Sequence, residues 1–305
     1  MSLSVGYYPK DALESLWAGG DVLGVIGFGG GEQAAVTLDV PMAGAGALYE
    51  VWRGGLTSAG RAGSVSYAED GQWLFASVAM TARPGIEEAA FSAYTELLAV
   101  LAARGYPHLI RVWQYFSGIN DEEENLERYR RFNRGRHAAL KDYLATGRRR
   151  PAATAIGCAG DGFYLYALAR RQPGTPIENP RQVPAFCYPS DYGPQPPDFT
   201  RAMRVDGDCA YLFISGTAAI VGHASHHPGN AEAQCHETLC NLDAILAAGG
   251  LKTPRVAAVK VYVRPGERPP HLVPPWAGAP QLVLASAICR AELLVEIEAF
   301  VVDGA

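Results

Sequence analysis

The sequence predicts an α+β protein made of two similar halves, each a mixed sheet covered by helices on one face. Two observations predict it. An apolar helix, an apolar strand and a closing pair of strands occur twice in the same order along 305 residues, and a proline-rich stretch at 171–199 separates the two occurrences. Helices and sheets that each carry one apolar face bury those faces against one another, which yields this layered architecture.

In the first half, Ala90, Tyr94, Leu97, Leu98 and Leu101 recur at helical spacing, and the stripe stops at Gly105. An apolar run at 108–116 reads as a strand, residues 123–144 as a longer helix, and 152–158 with 163–168 as the closing strands. The connection contains Pro173-Gly174, Pro180, Pro189, Gly193-Pro194 and Pro196-Pro197, which resist regular structure. Phe186, Tyr188, Tyr192 and Phe199 within it point to an ordered segment packed across both halves, since a tether is normally poor in aromatics. In the second half, Cys235, Leu239, Leu242 and Leu246 form the matching stripe, which stops at Gly249-Gly250. Strands follow at 256–263, 282–285 and 293–301, with a proline-rich piece at 269–275 where the first half has its long helix. The expected division is a first unit at 1–170, the connection at 171–200 and a second unit at 201–305.

Composition narrows the function. The 26 basic residues against 31 acidic ones form no long basic run, so nucleic acid and anionic membrane are not expected as partners. Arg148-Arg149-Arg150 reads as a solvated helix end. No stretch reaches transmembrane length and the N-terminus lacks signal-peptide features, so a cytoplasmic location is expected. The cysteines at 158, 187, 209, 235, 240 and 289 show neither a CxxC pair nor regular spacing, which argues against a zinc site or a disulfide framework. His223, His226, His227 and His236 straddle the Pro228-Gly229 turn instead of sharing a helix face, so no metal is expected there. The run Gly27-Phe28-Gly29-Gly30-Gly31 lacks the spacing of a nucleotide-binding loop.

The stretch 288–299 is the most informative. Strand alternation sets Leu293, Val295, Ile297 and Ala299 on one face and Leu294, Glu296 and Glu298 on the other, so a carboxylate interrupts an apolar strand. Cys289 and Arg290 precede it. In a two-layer unit the helix-free sheet face is either solvated or packed against another sheet; two repeats in one chain can cover part of it for each other, and Glu296 is then expected to point into the space between the sheets. The first-half counterpart reads Tyr164-Leu165-Tyr166, without a carboxylate, so one site is expected rather than two.

Ser215-Gly216-Thr217, Gln234, Asn241-Leu242, Ala248-Gly249 and the closing Val295-Glu296-Ile297-Glu298-Ala299 make the second half similar to the Rid superfamily of imine deaminases. Further segments, in order, resemble the chorismatases, a family built from two Rid-like units. These are Glu127-Arg128-Tyr129 with Phe132 and Gly135-Arg136, then Glu178-Asn179-Pro180-Arg181-Gln182-Val183, then Tyr188-Pro189 with Tyr192-Gly193 and Phe199. They continue with Ser215-Gly216-Thr217-Ala218 and Ile220-Val221-Gly222-His223, His227-Pro228-Gly229, and Ile288-Cys289-Arg290 before the closing strand.

The resemblance implies removal of the enolpyruvyl group of chorismate as pyruvate, without metal or organic cofactor. It makes Glu296 the general acid, kept neutral by burial, with Glu298 as the fallback. The substrate's two carboxylates call for arginines, whose planar fork suits them. Arg136 and Tyr129, seven apart on one helix, come first, followed by Arg290, Arg181 and Arg201. Tyr192, Thr217 and Ala218 complete the expected substrate-binding set. Arg264 reads as a strand-end charge. Cys289 resembles the subclass in which the substrate's own ring hydroxyl attacks and 3-hydroxybenzoate leaves. Ala218 resembles the hydrolytic subclass, whose product is a dihydroxycyclohexadiene carboxylate. Gln195 stands where the family commonly has a basic residue. A Rid-type enamine or imine hydrolase and a non-catalytic small-acid-binding protein are the alternative readings, and monomer or homotrimer is the expected assembly.

Overall fold

The computed structural model describes residues 2–28, 37–40, 48–82 and 85–304. Residues 29–31 of the glycine run lie outside the described residues. The chain opens with a four-stranded sheet that the periodicity reading does not separate from the first unit. Its strands are β1 (Ser4–Pro9), β2 (Val22–Phe28), β3 (Thr37–Val40) and β4 (Leu48–Arg53), in the order β1-β4-β2-β3.

The two expected halves follow as mixed six-stranded sheets. The first holds β5 (Ser58–Ala62), β6 (Val65–Glu69), β7 (Trp73–Thr81), β8 (His108–Phe116), β9 (Ala152–Gly157) and β10 (Gly162–Arg170), ordered β9-β8-β10-β7-β6-β5. Its helices are α1 (Ile86–Arg104) and α2 (Arg128–Ala145). The second holds β11 (Thr175–Ile177), β12 (Ala202–Val205), β13 (Tyr211–Ala218), β14 (Pro254–Val263), β15 (Gln281–Ala285) and β16 (Val295–Asp303), ordered β11-β12-β13-β16-β14-β15, with helix α3 (Ala231–Gly249). The predicted stripes are the buried faces: Ala90, Tyr94, Leu97 and Leu101 of α1, and Cys235, Leu239 and Leu242 of α3. Both helices end on a left-handed glycine, Gly105 (φ 77°) and Gly250 (φ 62°), the conformation glycine adopts without steric cost.

Two boundaries differ from the periodicity. The long helix starts at Arg128, not 123, because Glu124 and Asn125 both take positive φ (49° and 62°) and close a small hairpin first. The closing strand starts at Val295, not 293. Leu293 N–H turns back to the Arg290 carbonyl (3.1 Å), so Leu293 and Leu294 precede the regular alternation and both are buried. From Val295 onward the alternation holds: Val295, Ile297 and Ala299 pack on the helix side.

All three sheets share one plan. β7-β10-β8-β9, β13-β16-β14-β15 and β1-β4-β2-β3 each pair the last two members in parallel and insert the final strand of the unit between the first and second. In the N-terminal copy a turn and the five-residue helix Leu13–Trp17 stand where the other two copies have α1 and α3. Their helix-free faces meet in one core, which takes Ile26, Phe28 and Trp52 from the first sheet, Trp113, Tyr115 and Tyr166 from the second, and Phe213, Tyr262 and Phe300 from the third. Among the described residues, no helix is long and apolar enough to cross a membrane.

Candidate active site

The seam between the second and third sheets forms the site. β9, an edge strand of the second sheet, runs alongside β13 of the third, and β13 bulges where its register with β16 shifts between Ile214 and Thr217. The bulge is bonded to the neighbouring sheet: Ser215 Oγ accepts from Ala153 N–H (2.9 Å) and donates to the Thr200 carbonyl (2.6 Å), and Gly216 N–H donates to Thr154 Oγ1 (2.9 Å). A cavity of ≈ 250 Å³ opens at this seam, with walls from α2, the connection and the 286–294 turn.

Glu296 reaches this cavity from β16, lying across from Ala218 of β13 and Tyr262 of β14. It is 4% exposed, and no hydrogen bond holds its carboxyl among the described residues. Burial pushes its pKa up to about 8, and the charge of Glu298 adds to this against the opposing pull of Arg111 and Arg201. Glu298, two residues on, titrates the other way. Burial raises it as well, but Lys260, Arg111 and hydrogen bonds from Thr154 and Trp113 outweigh burial and hold it below the ordinary carboxylate value. Its donors are Arg111 Nη2 (2.8 Å), Trp113 Nε1 (2.6 Å), Thr154 Oγ1 (2.6 Å), Lys260 Nζ (3.1 Å) and Tyr262 OH (3.3 Å). One strand thus presents a neutral acid to the cavity and a fixed anion to the core.

Three arginines line the cavity without a carboxylate in ion-pair range among the described residues: Arg136, Arg201 and Arg290. Arg136 is 1% exposed and donates to Gln114 Oε1 (3.2 Å) and Asn133 Oδ1 (2.8 Å), while its buried Nε has no partner. Arg201 donates to Tyr188 OH (2.6 Å) and the Val183 carbonyl (3.0 Å), and its Nε is likewise unpartnered. Arg290 lies over the Tyr192 ring, 4.1 Å from its centroid, and Tyr192 OH meets His223 Nδ1 at 3.2 Å. Buried guanidinium donors left idle are costly unless a ligand takes them.

Tyr129 and Cys289 complete the wall beside Glu296. Burial raises both the phenol and the thiol well above their ordinary values, and the charge of Glu296 adds to both shifts. Cys289 is therefore a neutral thiol here, unsuited to nucleophilic attack, which needs the thiolate.

The structure gathers eight of the ten expected site residues at this cavity: Glu296, Cys289, Tyr129, Arg136, Arg290, Tyr192, Arg201 and Ala218. It does not bring Arg181 there. That guanidinium pairs with Glu237 of α3 (2.5 Å) and Asn241 (2.7 Å), a partner that local spacing does not reveal. Thr217 is also turned away, donating its hydroxyl to the Ser215 carbonyl (2.8 Å). Arg264 donates to the Leu293 (2.8 Å) and Arg290 (2.9 Å) carbonyls and so braces the turn that carries Cys289. Thr154 and Gly216 line the cavity unforeseen. Thr154 carried a signal, a polar residue inside the apolar run of β9, of the kind that singled out Glu296. Gly216 carried none beyond its place in Ser215-Gly216-Thr217. Among the described residues, no group of His, Cys, Asp or Glu is arranged to hold a metal ion.

Comparison with known proteins agrees with this geometry. The family model "Chorismatase FkbO/Hyg5-like, N-terminal" matches residues 50–169. A 3-hydroxybenzoate synthase of Streptomyces hygroscopicus is 36% identical over 263 residues, 79% of this chain and 77% of that protein. A chorismatase of Streptomyces rapamycinicus is 36% identical over 273 residues, 83% of this chain and 81% of its own. The crystal structure of a chorismatase superposes with a TM-score of 0.88 at 30% identity, covering 98% of both chains. With such identity along most of both sequences and one fold along nearly the whole chain, the protein belongs to the chorismatase family.

Proposed function

We propose that this enzyme cleaves chorismate by general acid catalysis at Glu296, releasing pyruvate, with 3-hydroxybenzoate as the favoured second product. The observation that carries the reading is one neutral carboxylic acid facing a cavity lined by three arginines that have no carboxylate partner among the described residues. That arrangement suits a dianionic enol ether. Glu296 delivers its proton to the enolpyruvyl methylene carbon, which generates an oxocarbenium ion. The substrate's ring hydroxyl attacks the adjacent cationic carbon, which bears the ether oxygen and the carboxylate, and Glu296 takes back a proton. The ring's bond to the attacking oxygen then breaks, a ring C–H proton is lost with aromatisation, and the cyclic adduct opens to pyruvate while the ether oxygen stays on the ring as the protonated phenol. Attack by water instead gives the dihydroxycyclohexadiene carboxylate.

Arg136 and Arg201, which line the cavity, bind the carboxylates, and Arg290 with Tyr192 closes over them. Cys289, neutral and lining the same cavity as Tyr129 and Glu296, keeps water from the reacting carbon, which favours the ring hydroxyl. The division at 170 and 200 belongs to the same reading: the connection supplies Tyr188, Tyr192 and Phe199 to a site that the two flanking units share. Because one chain furnishes both sheets at the seam, a monomer fits this arrangement better than a homotrimer.

The test is incubation with chorismate, with pyruvate followed through lactate dehydrogenase and NADH. Glu296→Gln is expected to retain substrate binding and lose about 10²- to 10⁴-fold in turnover, whereas no pyruvate from the unaltered enzyme sinks the proposal. Product chromatography and ¹⁸O from solvent water separate the two routes. Cys289→Ala is expected to divert product toward the diol, and an unchanged product ratio removes the thiol from the choice.

A further inference from the structure

We infer that Thr154 and Gly216 form a clamp across the sheet seam that aims the Glu296 carboxyl at the substrate, an inference that rests on Glu296 being the acid. Gly216 supplies the space. A Cβ at this position lies 1.9 Å from Glu296 Oε1 and 2.9 Å from its carboxyl carbon, so the acid occupies the volume that any side chain would fill. Gly216 is not among the glycines with positive φ, so its backbone conformation does not demand glycine. The space is the reason for the residue.

Thr154 holds that space in place. Its Oγ1 accepts from Gly216 N–H (2.9 Å) and from Arg111 Nη2, and donates its one proton to Glu298 Oε2 (2.6 Å). With that proton committed, the hydroxyl has none for Glu296, and the acid's proton stays available to the ligand. The threonine methyl stands 3.1 Å from the same Cβ position and walls the carboxyl on the β9 side. β9 belongs to the second sheet and the acid to the third, so this contact transmits their packing to the reacting group. Neither residue supplies a proton or touches the scissile bond in this reading. Both are positioning residues.

A positioning role separates kcat from KM. Thr154→Val keeps shape and loses the hydroxyl, and it is expected to lower kcat about 10- to 100-fold with KM within about threefold, since a misplacement near 1 Å costs about that much. Thr154→Ser keeps the hydroxyl and is expected to restore kcat to within about fivefold. Gly216→Ala is expected to lower kcat more than about 100-fold while a titration still shows substrate binding. Thermal unfolding of each variant reports folding, and Thr154→Ser together with Gly216→Ala keeps the test open if Thr154→Val does not fold. Equal impairment by valine and serine, or a rise in KM alone, overturns the clamp. Glu296→Gln separates the two readings: full activity there sinks the acid assignment, while an inactive Glu296→Gln beside an unimpaired Thr154→Val sinks only the clamp.

Discussion

Glu296 and Glu298 share a strand face yet hold opposite protonation states, because five polar groups of the core bond to Glu298 and, among the described residues, none bonds to Glu296. Desolvation acts on both, and only at Glu298 do charges and hydrogen bonds outweigh it. Two consequences follow for Glu296. Turnover needs its protonated form, so activity is expected to persist through neutral pH and fall as pH rises through about 8, checked by a pH–rate profile. Stability follows the same sign. A carboxyl whose native pKa lies above its unfolded value of 4.5 contributes stability that is fully present below 4.5 and is lost as pH rises through about 8. Glu296→Gln removes that loss, so the variant is expected to gain on the unaltered protein by a few kcal/mol between pH 5 and 8. Urea unfolding at both pH values measures the gain, and an equal difference at the two means that Glu296 is not desolvated.

At the scale of elements, the start of β16 is set by one side chain from α3. Gln234 accepts from Leu294 N–H (2.7 Å) and donates to the Glu292 (2.8 Å) and His227 (3.1 Å) carbonyls, taking the place of a neighbouring strand. The turn so fixed carries Cys289 and Arg290 into the cavity. Gln234→Leu keeps the volume and leaves Leu294 N–H buried without a partner, at a cost of about 1–3 kcal/mol for each group left unsatisfied. A drop in melting temperature is expected together with raised KM for chorismate, since Arg290 loses its fixed place. Unchanged KM means that the turn holds itself.

At the scale of the molecule, Lys260 marks the centre on which the three sheets converge. Register makes Ile26, Trp113 and Lys260 equivalent, each opposite a polar residue of the inserted strand: Glu50, Tyr166 and Glu298. The buried ammonium bonds to all three of these, to Glu50, to Tyr166 OH (2.9 Å) and to Glu298 (3.1 Å). Desolvation works against its charge, but Glu298 and Glu50 outweigh it and raise its pKa. Removing one partner of a buried ionic set strands the rest, which costs about 3–5 kcal/mol. Lys260→Met is expected to lose about that much in urea unfolding, and Glu50→Gln combined with it is expected to recover part of the loss. A Lys260→Met protein within about 1 kcal/mol of the parent shows that the centre is not held by charge.

The amphipathic stripes of α1 and α3, their glycine stops, the ordered connection and the carboxylate inside β16 were legible in the sequence, because periods of 3.6 and 2 are properties of adjacent residues. The N-terminal sheet was not separated, since its copy of the repeat has only a five-residue helix where the other two have α1 and α3. Nor does spacing reveal that Arg181 meets Glu237 while Arg136, Arg201 and Arg290 meet no carboxylate among the described residues, for such pairings join residues far apart in the chain. The clearest case is the pair of glutamates. The sequence alone set both on one face of one strand, but which stays neutral was decided by Arg111, 187 residues away, and by Lys260 and Thr154. The acid follows from position along a strand, and its protonation from the dielectric and charges that only packing brings to it.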